Sequence, residues 1–290
     1  MNANHPTKAG KYYDQVGDVR NGQAPTTGSY ITRTLLTGNE GEPDNYKLTI
    51  DGGEGNADWT TPRHRHNFEQ VRYVLGGDFI IAKNEVLPAG WVAYFPESAY
   101  YGPQLKSANL SLLHLQYGGP SKIGYWSVAQ RKKGYDDLIA KGGKFGDGVY
   151  TWFDEKGGRH NQDGAEAVWE QIFGRPIEYP VPRYRDLIIM NPDSFNWVRD
   201  PNTPGIARRS LGVFTERDIR IGFTRMEAGS SIRFGTEPAV EILFIKEGSL
   251  SHDDETYPSM TAFSTEADER PVTITAKDPT ELFYVKLPTF

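Results

Sequence analysis

The chain has 290 residues, 32 Lys and Arg against 38 Asp and Glu, and so a net charge of −6, with 31 glycines, 19 prolines, 16 tyrosines and no cysteine. That length accommodates two domains of ordinary size, and the acidic balance argues against a nucleic-acid partner, which needs a basic surface. The lack of cysteine excludes disulfides, thiolate metal sites and a cysteine nucleophile.

Residues 1–28 are polar and rich in Gly, Pro, Asn and Thr, the composition of an N-terminal arm. They show no apolar core of a secretory signal, and no apolar run approaches membrane-spanning length, so a soluble, cytoplasmic protein without a membrane partner is expected. From Tyr30 short β-type runs alternate with turn residues, at 30–36, 46–50, 69–75, 78–83, 91–95 and 110–117. They make a first barrel or sandwich over 29–120. Residues 121–178 change character. Here 135–141 predicts a short helix stopped by Gly142 and Gly143. Asp163 followed by Glu166 makes a capping-box-like start for a second helix over 165–173, with Gly174 at its end. The basic run Arg131-Lys132-Lys133 is a solvated face. A partly helical connector is the expectation for this segment. Strand-like runs return at 187–190, 211–215, 219–226, 240–246, 271–275 and 281–286, which assigns 179–290 to a second barrel.

The second half repeats the spacing of the first. His64, His66, Gln70 and Gly77 fall at the same intervals as Gly235, Glu237, Glu241 and Gly248. Ala93-Tyr94-Phe95 matches Ala262-Phe263-Ser264 at nearly the same offset. Two barrels of one design follow.

On a strand, residues two apart share a face, so His64 and His66 project to one side, and Gln70 and Arg72 join them if the strand runs on without a bulge. Two imidazoles and an amide oxygen are donors for one side of a divalent metal. Glu69 enters this set through a small register shift, and His114 on the last strand of the barrel offers a third imidazole. Each candidate also has a plain structural role: His64 and His66 as hydrogen-bonded pocket residues, Gln70 as the orienter of a histidine, His114 as a satisfied core residue. Arg72 inside a barrel calls for an anion, either a substrate carboxylate or an internal partner in Glu69 or Glu97. His5, His160 and His252 lie in polar loops.

The segment PRHRHNFEQVRYVLGG, followed by PAGWVAYFPESAYYGPQ, resembles the paired motifs of the cupin superfamily, G-x5-H-x-H-x3,4-E-x6-G and G-x5-P-x-G-x2-H-x3-N. His64 and His66 supply the H-x-H, Gln70 stands at the carboxylate position and Gly77 closes the first motif. Gly90, Pro96 and Ser98 hold their places in the second, where Tyr101 replaces the histidine. The resemblance implies an all-β chain of two cupin-type antiparallel jelly-roll barrels, a bicupin with a short helical connector. Its second barrel is degenerate, with Gly235, Glu237 and Glu241 at the ligand positions and Arg270 near that of Tyr101, and a structural role follows for it. One divalent metal (Fe, Mn, Ni, Cu or Zn) is implied in barrel 1, on His64, His66, Gln70 and His114. Tyr101 and Glu69 are then the candidates for moving protons, and Arg72, Phe68 and Tyr101 those for holding a small organic, anionic substrate. The activity implied is that of a metal-dependent enzyme, foremost a dioxygenase or other oxidoreductase. The alternatives are a non-redox isomerase, lyase or decarboxylase, and a non-catalytic binding barrel. Exposed sheet faces and edge strands point to a homodimer.

Overall fold

The computed structural model describes residues 1–4, 10–12, 30–41, 45–52, 58–61, 63–123, 125–146 and 149–290. Most of the expected arm, His5 included, lies outside the described residues. The expected pair of antiparallel jelly-roll barrels is present. Barrel 1 has a seven-stranded sheet in the order Ile188–Met190, Val92–Phe95, Glu69–Gly76, Ser111–Tyr117, Tyr46–Gly52, Tyr30–Thr37, Gly10–Tyr12. Its second sheet runs Trp59–Thr61, Gln104–Lys106, Phe79–Ala82, Glu85–Leu87. Barrel 2 repeats both, as Asn2–Asn4, Ala262–Thr265, Glu241–Glu247, Thr280–Lys286, Ile219–Met226, Ile206–Phe214, Val198–Arg199 and as Ser231–Phe234, Val272–Ala276, Ser249–His252, Glu255–Pro258.

The register makes the repeat concrete. Gln70 pairs with Gln116 and Phe95, and Glu241 pairs with Lys286 and Thr265, so the two sit at equivalent points. Gly77 and Gly248 both follow in the left-handed region, at φ 72° and 83°, where a side chain is strained. The later match moves by one residue: Phe95 corresponds to Thr265, and Tyr94 to Ser264. The segment from Gly248 to Thr265 is one residue shorter than that from Gly77 to Phe95, which the spacing argument absorbed into an approximate offset.

Two sequence boundaries are also corrected. Asn2–Asn4 precedes barrel 1 yet pairs with Ala262, Phe263 and Ser264 of barrel 2. Ile188–Met190, expected within barrel 2, pairs with Val92, Ala93 and Tyr94 of barrel 1. An edge strand joins a sheet through its backbone, so composition does not disclose which sheet receives it.

Side-chain alternation divides the Glu69–Gly76 strand between two environments. Val71 and Tyr73 belong to one apolar core and Val74 to another, with Phe79, Phe95 and Leu112. The larger core lies between the two seven-stranded sheets, where Tyr73 packs on Phe223 and Phe283 with ring centroids 5.4 and 5.1 Å away. The faces expected to recruit a second chain are covered within this one.

The connector holds more than helices. Helix α1 (Val128–Ala140) starts well before the expected 135. Ser127 caps it, its hydroxyl accepting the Gln130 N–H while the Gln130 side chain accepts the Ser127 N–H. It runs through Gly134 because α2 (Gly164–Phe173) crosses there: a Cβ on Gly134 would sit 2.7 Å from Ile172. Lys132 and Lys133 pair with Asp136 and Asp137 on the solvated face. A three-stranded sheet, Lys144–Gly146, Val149–Phe153 and Arg159–Asp163, lies between the helices and was absent from the sequence expectation. Together they bury Trp126, Leu138, Tyr150, Val168 and Trp169. Among the described residues no helix is long and apolar enough to cross a membrane.

Candidate functional site

The H-x-H segment is not a strand. It joins Trp59–Thr61 to Glu69–Gly76, and among its described residues only His64 makes a two-way backbone bridge, to Tyr101, with N···O distances of 2.9 Å in both directions. The chain is still extended enough to bring both rings to one place. The His64 and His66 centroids are 4.9 Å apart, edge to face, and the Tyr101 ring lies 4.4 Å from His64 and 6.0 Å from His66. Phe68, expected to touch substrate, is instead wedged beneath the site. It stacks on His66 at 4.4 Å and meets Tyr125 of the connector edge-on at 5.0 Å. The connector thereby props one of the two histidines.

Below Tyr101 a buried polar chain crosses the barrel. Gln70 Nε2 donates to the Tyr101 hydroxyl at 2.6 Å. Gln70 Oε1 accepts two N–H groups of Arg72, at 2.7 and 3.2 Å, and lies 2.8 Å from His114 Nε2. His114 Nδ1 is 3.0 Å from Asp51 Oδ2, which also accepts from Lys106 at 2.7 Å. Thr32 and Thr49 donate to Asp51 Oδ1, and Arg72 donates to Gln104 at 3.1 Å while its guanidinium lies 4.2 Å over the Phe95 ring. Burial would raise Asp51, but Lys106 beside it and the contact with His114 hold it well below the usual carboxylate range. Burial, and then the charge of Arg72, push His114 down to about 3, so its ring is neutral at pH 7. Sequence reasoning missed Asp51, Lys106 and Gln104. The long-range register sets Asp51 and Thr49 opposite Leu112 and His114, while Gln104 and Lys106 come from the four-stranded sheet, so only the assembled barrel brings them together.

Glu69 is corrected. It points to the other side of the sheet from Gln70, into the core between the barrels, where Tyr94 donates to it and Glu97 lies near. Burial raises it to about 8, the Tyr94 hydrogen bond opposing and Glu97 adding to the rise. The register shift that would have turned it toward the histidines does not occur, so it is no proton carrier for them. Glu97 pairs with Arg183 at 2.6 Å rather than with Arg72, and Arg183 reaches on to Glu216 of barrel 2 at 2.5 Å.

These residues do not fit a divalent metal held by three protein ligands. Two imidazoles are present, but the Gln70 oxygen already receives a guanidinium, and a second cation there would be repelled. Both His114 nitrogens have oxygen neighbours within hydrogen-bonding distance. Among the described residues no group of three His, Asp or Glu side chains converges on a metal position.

In barrel 2 the register replaces Arg72 by Leu243, His114 by Tyr284 and Asp51 by Thr224. His160 and His252 stay in peripheral contacts, with Asp154 and with the Thr273 carbonyl.

No protein-family model matches the chain, and no curated protein matches its sequence. Solved structures do match its fold. A candidate dioxygenase from Nostoc punctiforme superposes with a TM-score of 0.58 at 9% identity, covering 98% of this chain and 84% of that one. Oxalate decarboxylase of Bacillus subtilis, a protein with Mn(II) centres, gives 0.53 at 11%, covering 99% and 77%. The HEPD of Streptomyces albus, seen with 2-hydroxyethylphosphonate and Fe(II), gives 0.50 at 11%, covering 98% and 77%. At these identities the likeness is one of fold, the double-barrel fold of the cupins.

Proposed function

We propose that this double-barrel cupin fold carries, in barrel 1, a site for a small anionic organic molecule, bounded by His64, His66 and Tyr101 above and by Arg72 below. The observation that supports it is charge. Arg72 and Lys106 are both buried, in one hydrogen-bonded chain with Gln70, His114 and Asp51, so two cationic side chains are gathered at the base of the site. Cations held in a low-dielectric interior attract an anionic ligand more strongly than they would in water. On either side of His64 in the chain, Arg63 and Arg65 lie 4.6 and 4.8 Å over the exposed Tyr100 ring. Basic residues gathered here, in a protein of net charge −6, draw anions toward this part of barrel 1. Tyr101 accepts from Gln70 and its ring lies against those of His64 and His66, and we assign it the proton transfer to a bound ligand.

The test is calorimetric titration of the intact chain with oxalate, succinate and benzoate. We expect saturable binding by at least one, weakened by salt and by at least tenfold in Arg72→Gln. No binding by any of the three, or binding indifferent to Arg72→Gln, would sink the proposal.

The adjacency of His64 and His66 favours a second reading: a metal-dependent enzyme, a dioxygenase or a non-redox relative, in which ligand rather than protein completes the metal shell. Elemental analysis of protein purified without added metal separates the two. Stoichiometric metal lost on His64→Ala or His66→Ala, and held more tightly in Gln70→Glu, would establish the metal reading. Near-zero metal in the wild type and in His64→Ala alike would leave the anion site standing alone.

A further inference from the structure

We propose that barrel 2 holds a binding site of its own, for a small α-amino acid with an aliphatic side chain. It does not depend on the function assigned to barrel 1. Barrel 2 is degenerate at the H-x-H positions, but it is not filled: a cavity of about 320 Å³ opens at the point equivalent to the barrel 1 site. That volume lies at the small end of those that hold ligands.

The cavity is bipolar. Glu241, 4% exposed, lies at its buried end. Its carboxylate accepts the Glu237 N–H at 2.9 Å and the Tyr284 hydroxyl at 3.2 Å, and among the described residues it has no ion pair. Arg220, the nearby cation, is held by Asp218 and Glu237. The open end carries the reverse charge. Arg208 and Arg233 are exposed there; Arg208 meets Asp200 only at 3.6 Å, and Arg233 has no ion pair among the described residues. Ile232, Phe234 and Leu243 supply apolar wall between the two ends. An ammonium on Glu241, a carboxylate toward the arginines and an aliphatic group on the wall match these three features with one molecule.

Three probes of one carbon skeleton separate the contributions: L-leucine, isovalerate, which lacks the amine, and isoamylamine, which lacks the carboxylate. By calorimetry on the intact chain, leucine should bind at least tenfold more tightly than either. Glu241→Gln should cost leucine and isoamylamine tenfold or more and spare isovalerate. The strand tolerates the amide, since Gln70 occupies the same position in barrel 1. The double variant Arg208→Gln/Arg233→Gln, at exposed positions, should weaken leucine and isovalerate and spare the amine. Arg72→Gln should leave leucine binding unchanged, which keeps this site distinct from barrel 1. The proposal is overturned if leucine fails to bind at millimolar concentration, if the three probes bind alike, or if Glu241→Gln has no effect in a variant whose melting curve shows it folded.

Discussion

Glu69 and Gln70 are neighbours in the chain and live in different solvents. Gln70 faces the polar interior of barrel 1, and Glu69 the apolar core between the sheets, with a folded pKa raised to about 8 from an ordinary 4.5. A raised acid is protonated in the folded chain after it has ionised in the unfolded one. Its stabilising contribution is therefore complete below pH ~4.5 and falls as pH rises to ~8, by about 1.4 kcal/mol per unit at most. Glu69→Gln, which cannot ionise, should lack this slope. Melting temperatures of the two proteins should diverge in favour of the variant from pH 5 to pH 8, and parallel curves would refute the buried, protonated Glu69. Strand periodicity alone separates Glu69 from Gln70 and sufficed here; allowing a register shift was the error. The partners of His114 were not legible in the same way, because Asp51 lies 63 residues away and meets it only through the sheet.

Strands were the most legible elements, since alternation with turn residues marks them directly. The connector sheet was not legible, because its two outer strands are largely exposed and carry no apolar alternation. The H-x-H segment misled in another way: its residues are extended without belonging to a ladder beyond one bridge. Close approach between elements leaves its own mark on glycines. Gly52 has φ +100°, and a Cβ there would lie 1.8 Å from the Leu110 carbonyl oxygen, at the start of the neighbouring strand that holds His114. Gly52→Ala should destabilise by about 2 kcal/mol or more, from left-handed strain and a displaced ladder. Gly76→Ala, whose Cβ would meet nothing closer than Ser111 at 4.0 Å, is the control. Urea midpoints measure both, and equal values would contradict the packing described.

The repeat was visible as spacing, and from it the two barrels; how they join was not. The apolar faces of both seven-stranded sheets are consumed in one core, so the homodimer expected from exposed faces has lost its main driving force. Sedimentation should show a 32.5 kDa species, and a dimer would require an interface elsewhere, at the four-stranded sheets or the connector. Reciprocal strand exchange sets one more condition on the molecule. Each barrel is finished by a strand that precedes the other in sequence, the arrangement of a swapped homodimer whose two subunits have been spliced head to tail. Severing the peptide bond in the connector would therefore separate the chain without separating the fold. Fragments 1–124 and 125–290, co-expressed, should copurify as a complementing pair, each the lock to the other's key, whereas either made alone would carry an orphan strand and a bare edge, and should aggregate or pair with its own copy.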